Sequence, residues 1–247
     1  MPTPEETTLL RSILAAVGQV RQPPSEVTAF LAMAGHRYRG DLMVVGRAVY
    51  GWRESIISQE LSDPGAVVAF ANRVRASVEP DCTGTCPMLW VTDCWGNPLV
   101  NRDNKRSAFW RTIRGVVGRL AIAEPKKDAT WPSLLVWSNL YKVAPAERAG
   151  NPTGRLRTLQ RSACVDLFRL ELDTYRPSRL LLLTGRRWAD PFMPPTARDD
   201  EARSPVREYI ERSGTLSEVG TRYVVAAHPQ GRDEKQWIDN VVGAFES

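Results

Sequence analysis

Residues 223–232, YVVAAHPQGR, decide how the rest of the chain is read. Tyr223 to Ala227 is a short apolar run that stops at His228-Pro229. The polar turn Gln230-Gly231-Arg232 follows, and Asp233 opens a helix. An apolar run of this length, bounded by turn residues, reads as a buried strand. A strand that hands its last residue to a loop before a helix puts that residue at the carboxyl edge of a sheet, where α/β proteins build their sites. His228 is one of only 2 histidines in the chain. Alone it reads as a turn histidine, so its meaning depends on what other strands bring to the same edge.

Working outward, three more apolar runs share this form. Leu42 to Val45 leads into Gly46-Arg47-Ala48-Val49-Tyr50-Gly51-Trp52. Ser133 to Trp137 runs into Ser138-Asn139-Leu140-Tyr141-Lys142, and Arg179 to Leu183 ends in Thr184-Gly185. Helical patterns lie between and around them. Thr3-Pro4-Glu5-Glu6 is a capping box that starts a surface helix over 4–19, and a second helix is expected over 25–34. Asp63-Pro64, Ser107 and Asp233 open further helices, and another covers 155–175. Four buried strands separated by helices predict an α/β fold, a three-layer α/β/α sandwich with a central four-stranded parallel sheet. The amino end of the last helix is expected to favour an anion beside the His228 turn.

The chain of 247 residues is long enough for one such domain over 1–247. Within it, 1–40 forms N-terminal helices, while 78–106 and 190–206 are long loops. The 33 Lys and Arg outnumber the 28 Asp and Glu and give a net charge of +5. Most of these cations are arginine, which suits bidentate contacts to phosphates or base edges. In the 78–106 loop, Trp90, Trp95, Arg102, Lys105 and Arg106 interleave aromatic and basic residues. That pattern suits a nucleic-acid surface, and it equally suits tryptophans packed on the core. No apolar run reaches a membrane span and the start is acidic, so a cytoplasmic protein without membrane contact is expected, working as a monomer. Cys82, Cys86 and Cys94 are spaced C-x3-C-x7-C. This fits no common zinc pattern and no histidine lies nearby, so free thiols and no metal are expected, with a metal site on the clustered cysteines as the alternative.

Neither a G-x-G-x-x-G nor a G-x-x-x-x-G-K-[ST] motif is present, and there is no G-x-S-x-G elbow. Dinucleotide, P-loop and α/β-hydrolase readings lose their usual support. The four strand exits VVGRAVYG (44–51), LLVWSN (134–139), LLLLTG (180–185) and VVAAHPQGR (224–232), taken in order, resemble the motifs of the uracil-DNA glycosylase superfamily. The segment SNLYKVAPAERAGNPTG (138–154) is especially similar to its bacterial and archaeal branches.

The resemblance implies DNA as partner and a glycosylase that flips a damaged or modified pyrimidine, uracil or a hypermodified phage cytosine, and hydrolyses its N-glycosidic bond. It implies that His228 donates a hydrogen bond to the base oxygen that gains charge, and that Asn139 reads the base edge. Gly46, Arg47, Ala48 and Tyr50 would shape the pocket. Gln230, Gly231 and Arg232 would enter the duplex, and Arg187 would meet DNA at the rim. Such chemistry requires the base outside the stack, and a primary amide offers paired bonds to its edge.

Two departures stand out. Several branches carry an acid in the first motif, where this chain has Arg47 and Ala48; Asp93, Glu54 and Asp81 are candidate substitutes. Some branches hold an iron–sulfur cluster on four cysteines, and only Cys164 stands near a matching position, so no cofactor is expected. Loss of the acid also suits a catalytically silent DNA-binding protein of the same fold.

Overall fold

The computed structural model describes residues 2–19, 25–49, 51–99, 103–146, 151–200 and 208–247. In chain order the strands are β1 (Glu26–Ala29), β2 (Met33–Ala34), β3 (Leu42–Ala48), β4 (Ser55–Ile57), β5 (Leu135–Tyr141), β6 (Val143–Pro145), β7 (Arg179–Leu182), β8 (Ala197–Asp199), β9 (Ile210–Leu216) and β10 (Thr221–Ala226). The α-helices are α1 (Pro4–Gly18), α2 (Pro64–Ala76), α3 (Trp90–Asp93), α4 (Ala108–Arg119), α5 (Gly154–Tyr175), α6 (Arg186–Ala189) and α7 (Glu234–Glu246). The chain divides into two compact units, each assembled from separated segments. One is Met1–Met33, Gly46–Gly84 and Ser138–Thr174; the other is Ala34–Val45, Thr85–Trp137 and Tyr175–Ser247.

In the first unit, Thr3 caps α1 with a reciprocal capping box to Glu6. Leu10, Ile13, Leu14 and Val17 fall on one face at helical spacing and are buried, and α1 packs against α2. The helix is therefore less of a surface element than expected, because even Glu6 is fully buried. Residues 25–34 are not a helix. They form β1, the centre of a small antiparallel sheet of order β4-β1-β6, and β2. The stretch Phe30 to Met33 is 0% exposed. A segment buried on every side shows no helical or strand period, which is why its pattern misleads.

The larger sheet has seven strands in the order β2-β5-β3-β7-β10-β9-β8, rather than four. The four expected strands stand together as β5-β3-β7-β10. Leu42–Val45 and Arg222–Val225 both pair in parallel with Arg179–Leu182. Strands β9 and β8 add an antiparallel extension, so the sheet is mixed. β3, β7 and β10 are buried nearly throughout, which explains their unbroken apolar runs. On the second unit's sheet, α7 lies against β10 and against α4. Trp237, Val241, Val242 and Phe245 on α7 and Trp110, Ile113, Val116 and Val117 on α4 are buried, and the two helices are joined by the Arg111–Glu234 and Arg119–Asp239 pairs. The 190–206 segment is not wholly an exposed excursion. Phe192 and Met193 are buried and 197–199 join the sheet as β8.

Candidate functional site

The His228 turn is built by the junction of β10 and α7. The backbone N–H of Ala227 donates to the Tyr209 carbonyl at 2.9 Å. The Ala227 carbonyl accepts from the Trp237 indole at 2.8 Å, which pins the strand end to the helix. His228 follows, half-buried, then buried Pro229 and exposed Gln230, Gly231 and Arg232. The turn closes through Arg232 N–H to the Pro229 carbonyl at 3.1 Å, and Gly231 takes the left-handed φ of 75° that glycine tolerates. The Gln230 N–H points at His228 Nδ1, 3.3 Å away. In a neutral imidazole one nitrogen donates and the other accepts, so a neutral His228 accepting this contact at Nδ1 would carry its proton on Nε2.

The exit of β7 lies beside this turn, because Gly185 N–H donates to the Ala226 carbonyl at 2.9 Å. Gly185 has φ 78° and ψ 154°, a conformation essentially restricted to glycine. Arg186 and Arg187 follow, both exposed. Arg186 pairs with Asp190 at 3.1 Å, whereas Arg187 makes no ion pair among the described residues. The Arg232 guanidinium sits 5.8 Å from the Tyr209 ring centroid. The amino end of α7 is not an open anion site. Asp233 caps it by accepting from Gln236 N–H at 2.8 Å, and Glu234, in the first turn, pairs with Arg111. The Gln236 side chain turns to Glu208 instead of back to the cap.

In the first unit, Asn139 lies inside β5 rather than at its exit, and it is 2% exposed. Its Nδ2 is buried without a hydrogen-bond partner among the described residues. Gly46 is buried and Arg47 and Ala48 are half-buried at the end of β3, while Tyr50 lies outside the described residues. None of the candidate acids is buried. Glu54 is engaged by Arg73 Nε at 3.1 Å, Asp81 accepts from Thr83 within its own turn, and Asp93 is exposed on α3. The candidates therefore fall into two sets. Gly46, Arg47, Ala48, Asn139, Glu54 and Asp81 belong to the first unit, and His228, Gln230, Gly231, Arg232, Arg187 and Asp93 to the second.

No family model matches the chain, and no curated protein matches it. What the residues can do is therefore argued from their own chemistry.

The 78–106 segment contributes less to an exposed aromatic surface than its composition suggests. Trp90 packs against Trp110 and Trp137, with ring centroids 5.5 Å away in each case. Trp95 lies under the Arg114 guanidinium at 4.9 Å, and buried Asn104 ties the loop down through a 3.0 Å bond to the Val91 carbonyl. Lys105 and Arg106 remain exposed; Arg102 lies outside the described residues. None of the four cysteines is in a disulfide, and no cluster of metal-binding side chains occurs among the described residues. Burial pushes the Cys164 thiol up to about 12. No helix of the described residues is long and apolar enough to cross a membrane.

Sequence reasoning missed a buried polar group around Asn139. Lys142 Nζ donates to Glu171 Oε1 at 2.5 Å and to Ser138 Oγ at 2.8 Å, and Ser138 Oγ donates to Glu171 Oε2 at 2.8 Å. All three side chains are fully buried. Gln160 Oε1 accepts from the backbone N–H of Lys142 and of Val143, and its Nε2 donates to the Val143 carbonyl at 2.8 Å. Glu6 belongs to the same electrostatic group. Burial, and then the negative charge of Glu171, hold its carboxyl above the ordinary range, against hydrogen bonds from Thr3 and the Lys142 charge. The available signal was the run of polar residues inside an apolar strand, facing Gln160, Cys164 and Glu171 at helical spacing on α5.

Proposed function

We propose that this protein is a monofunctional DNA glycosylase that takes a pyrimidine out of the stack and hydrolyses its N-glycosidic bond. Asn139 carries the reading. A buried amide donor without a protein partner costs about 1–3 kcal/mol, and a binding site is where that cost is recovered. A primary amide carries both a donor and an acceptor, so it can meet the 4-oxo group of uracil or, turned over, the 4-amino group of cytosine. Uracil and a hypermodified cytosine both fit this edge.

His228 supports the leaving group. As the bond from C1′ to the base nitrogen lengthens, negative charge gathers on the base oxygen. A neutral imidazole with its proton on Nε2 donates to that oxygen without giving the proton up. Preorganised donors of this kind are worth about 10²–10³ in rate. Water adds at C1′ and the proton it loses neutralises the departed base anion, leaving an abasic sugar and the free base. Arg187 and Arg232 are exposed cations beside the His228 turn and serve the DNA phosphates, in a protein working in the cytoplasm as a monomer.

A second reading is favoured by one observation. The first motif carries Arg47 and Ala48 in place of an acid, and none of Glu54, Asp81 and Asp93 is buried. A DNA-binding protein that does not cleave would tolerate this. Alkali-dependent strand cleavage of labelled DNA separates the two. The panel includes uracil, deaminated purines, and native and glucosylated phage DNA. The glycosylase reading expects abasic sites with wild type and about a hundredfold or greater loss with His228→Ala and Asn139→Ala. DNA binding without abasic product on any substrate defeats it in favour of the silent binder.

A further inference from the structure

We infer that Ser138, Lys142 and Glu171 are positioning residues for Asn139, a role that rests on the reading of Asn139 as the base-edge contact. The geometry of β5 carries this inference. Side chains alternate along a strand, so Ser138 projects to the face opposite Asn139, and Lys142, just past the end of β5, reaches the same side by bonding Ser138. Their bonds to Glu171 show that this face meets α5. The backbone on both sides of Asn139 is thus tied to one helix. Ser138 is held immediately before it and Lys142 three residues after it. Gln160 fixes the chain again at Lys142 and Val143 by accepting and donating backbone hydrogen bonds.

A Ser–Lys pair 2.8 Å apart also invites comparison with a nucleophile and its base. That role fails here. Lys142 Nζ is paired with Glu171 and Ser138 Oγ donates to the same carboxylate, so both groups are committed to Glu171 on the face that meets α5. A buried charge pair adds little net stability over an apolar replacement, and its best-attested use is to specify one arrangement. What this pair specifies is the height and tilt of β5 at the one residue whose amide donor is left unpaired. An amide that reads a base edge must be held to about half an ångström, and a fixed supporting layer provides that.

The test uses the full-length protein and two readouts. Ser138→Ala removes one corner of the triangle while the Lys142–Glu171 pair stays intact, so the fold is kept; Ser138→Thr restores the hydroxyl. The first readout is the Asn139 side-chain amide resonance in the DNA-free protein, assigned by its loss in Asn139→Ala. It is expected to shift and broaden in Ser138→Ala and to return in Ser138→Thr. The second readout is single-turnover excision. Loss of one hydrogen bond's worth of positioning is expected to lower the rate about fivefold. KM for DNA should stay unchanged, because the phosphate contacts are untouched. The pair variant Lys142→Met/Glu171→Met should deepen both effects with folding retained. An unchanged Asn139 resonance in Ser138→Ala overturns the inference, as does an unchanged rate in the pair variant. If wild type excises no base, the glycosylase reading fails by itself, and the resonance still decides whether the network positions Asn139.

Discussion

Glu6→Gln should stabilise the protein, increasingly so as the pH rises. Glu6 is 0% exposed, with Oε2 accepting from Thr3 N–H and Oε1 buried without a partner among the described residues. Burial and the Glu171 charge raise its folded-state pKa above the ordinary value of 4.5. The folded protein therefore holds a proton that the unfolded chain releases. Stability is complete below 4.5 and falls as pH climbs toward the raised folded pKa, by up to about 1.4 kcal/mol per unit. Between 4.5 and 7 the ceiling on that loss is roughly 3 kcal/mol. Glutamine keeps the capping box, since its oxygen still accepts from Thr3, and it carries no charge into the cluster. Urea midpoints for wild type and Glu6→Gln from pH 4.5 to pH 8 check this. The two curves should meet near pH 4.5 and separate above it. Parallel curves would show that Glu6 titrates normally and would sink the reasoning.

Arg187→Ala and Arg232→Ala should each weaken DNA binding without regard to sequence, and each should reduce the slope of log K against log salt by about one; fluorescence anisotropy at several salt concentrations reads both. Thiol titration at pH 8 should modify exposed Cys82 readily and leave Cys164 untouched until urea is added, because Cys164 is 0% exposed and its thiol is pushed up to about 12. Fast labelling of Cys164 in the native protein would show that α5 opens locally.

The strands that were legible in the sequence are those buried on both faces. Leu42–Val45, Leu180–Leu183 and Tyr223–Ala226 form continuous apolar runs for that reason, and their helices announced themselves through caps at Thr3, Asp63, Ser107 and Asp233. Strand β9 left no such signal. Its residues IERSGTL alternate weakly, and Gly214 is there because a Cβ would lie 2.0 Å from the Arg198 carbonyl oxygen. Close strand approach is a tertiary fact that composition does not report. The 25–34 segment failed differently, since burial on all sides removes the period that separates helix from strand. At the site, the His228 turn was legible because strand, turn and helix are contiguous. The group around Asn139 was not, because Glu171 lies 33 residues after Ser138 and Glu6 lies in α1.

The same stretch explains why β5 runs on past Trp137. Ser138, Asn139 and Lys142 look like a strand's polar exit, yet all three are at most 2% exposed. Burying polar groups is tolerable when each finds a partner. Ser138 and Lys142 find theirs in Glu171, and the Lys142 backbone finds Gln160, so the strand runs on to Tyr141 with Lys142 immediately beyond it. Asn139 Nδ2 alone of these groups does not. A residue kept for folding would have no reason to bear that cost, whereas one kept for a ligand would. Asn139→Leu, close in volume and free of polar atoms, should therefore raise unfolding stability by about 1–3 kcal/mol while abolishing base excision. Urea unfolding and the alkali-cleavage assay on one preparation measure the two effects. A stability loss in Asn139→Leu would mean that the amide serves the fold, and the assignment of Asn139 to the base edge would lose its physical basis.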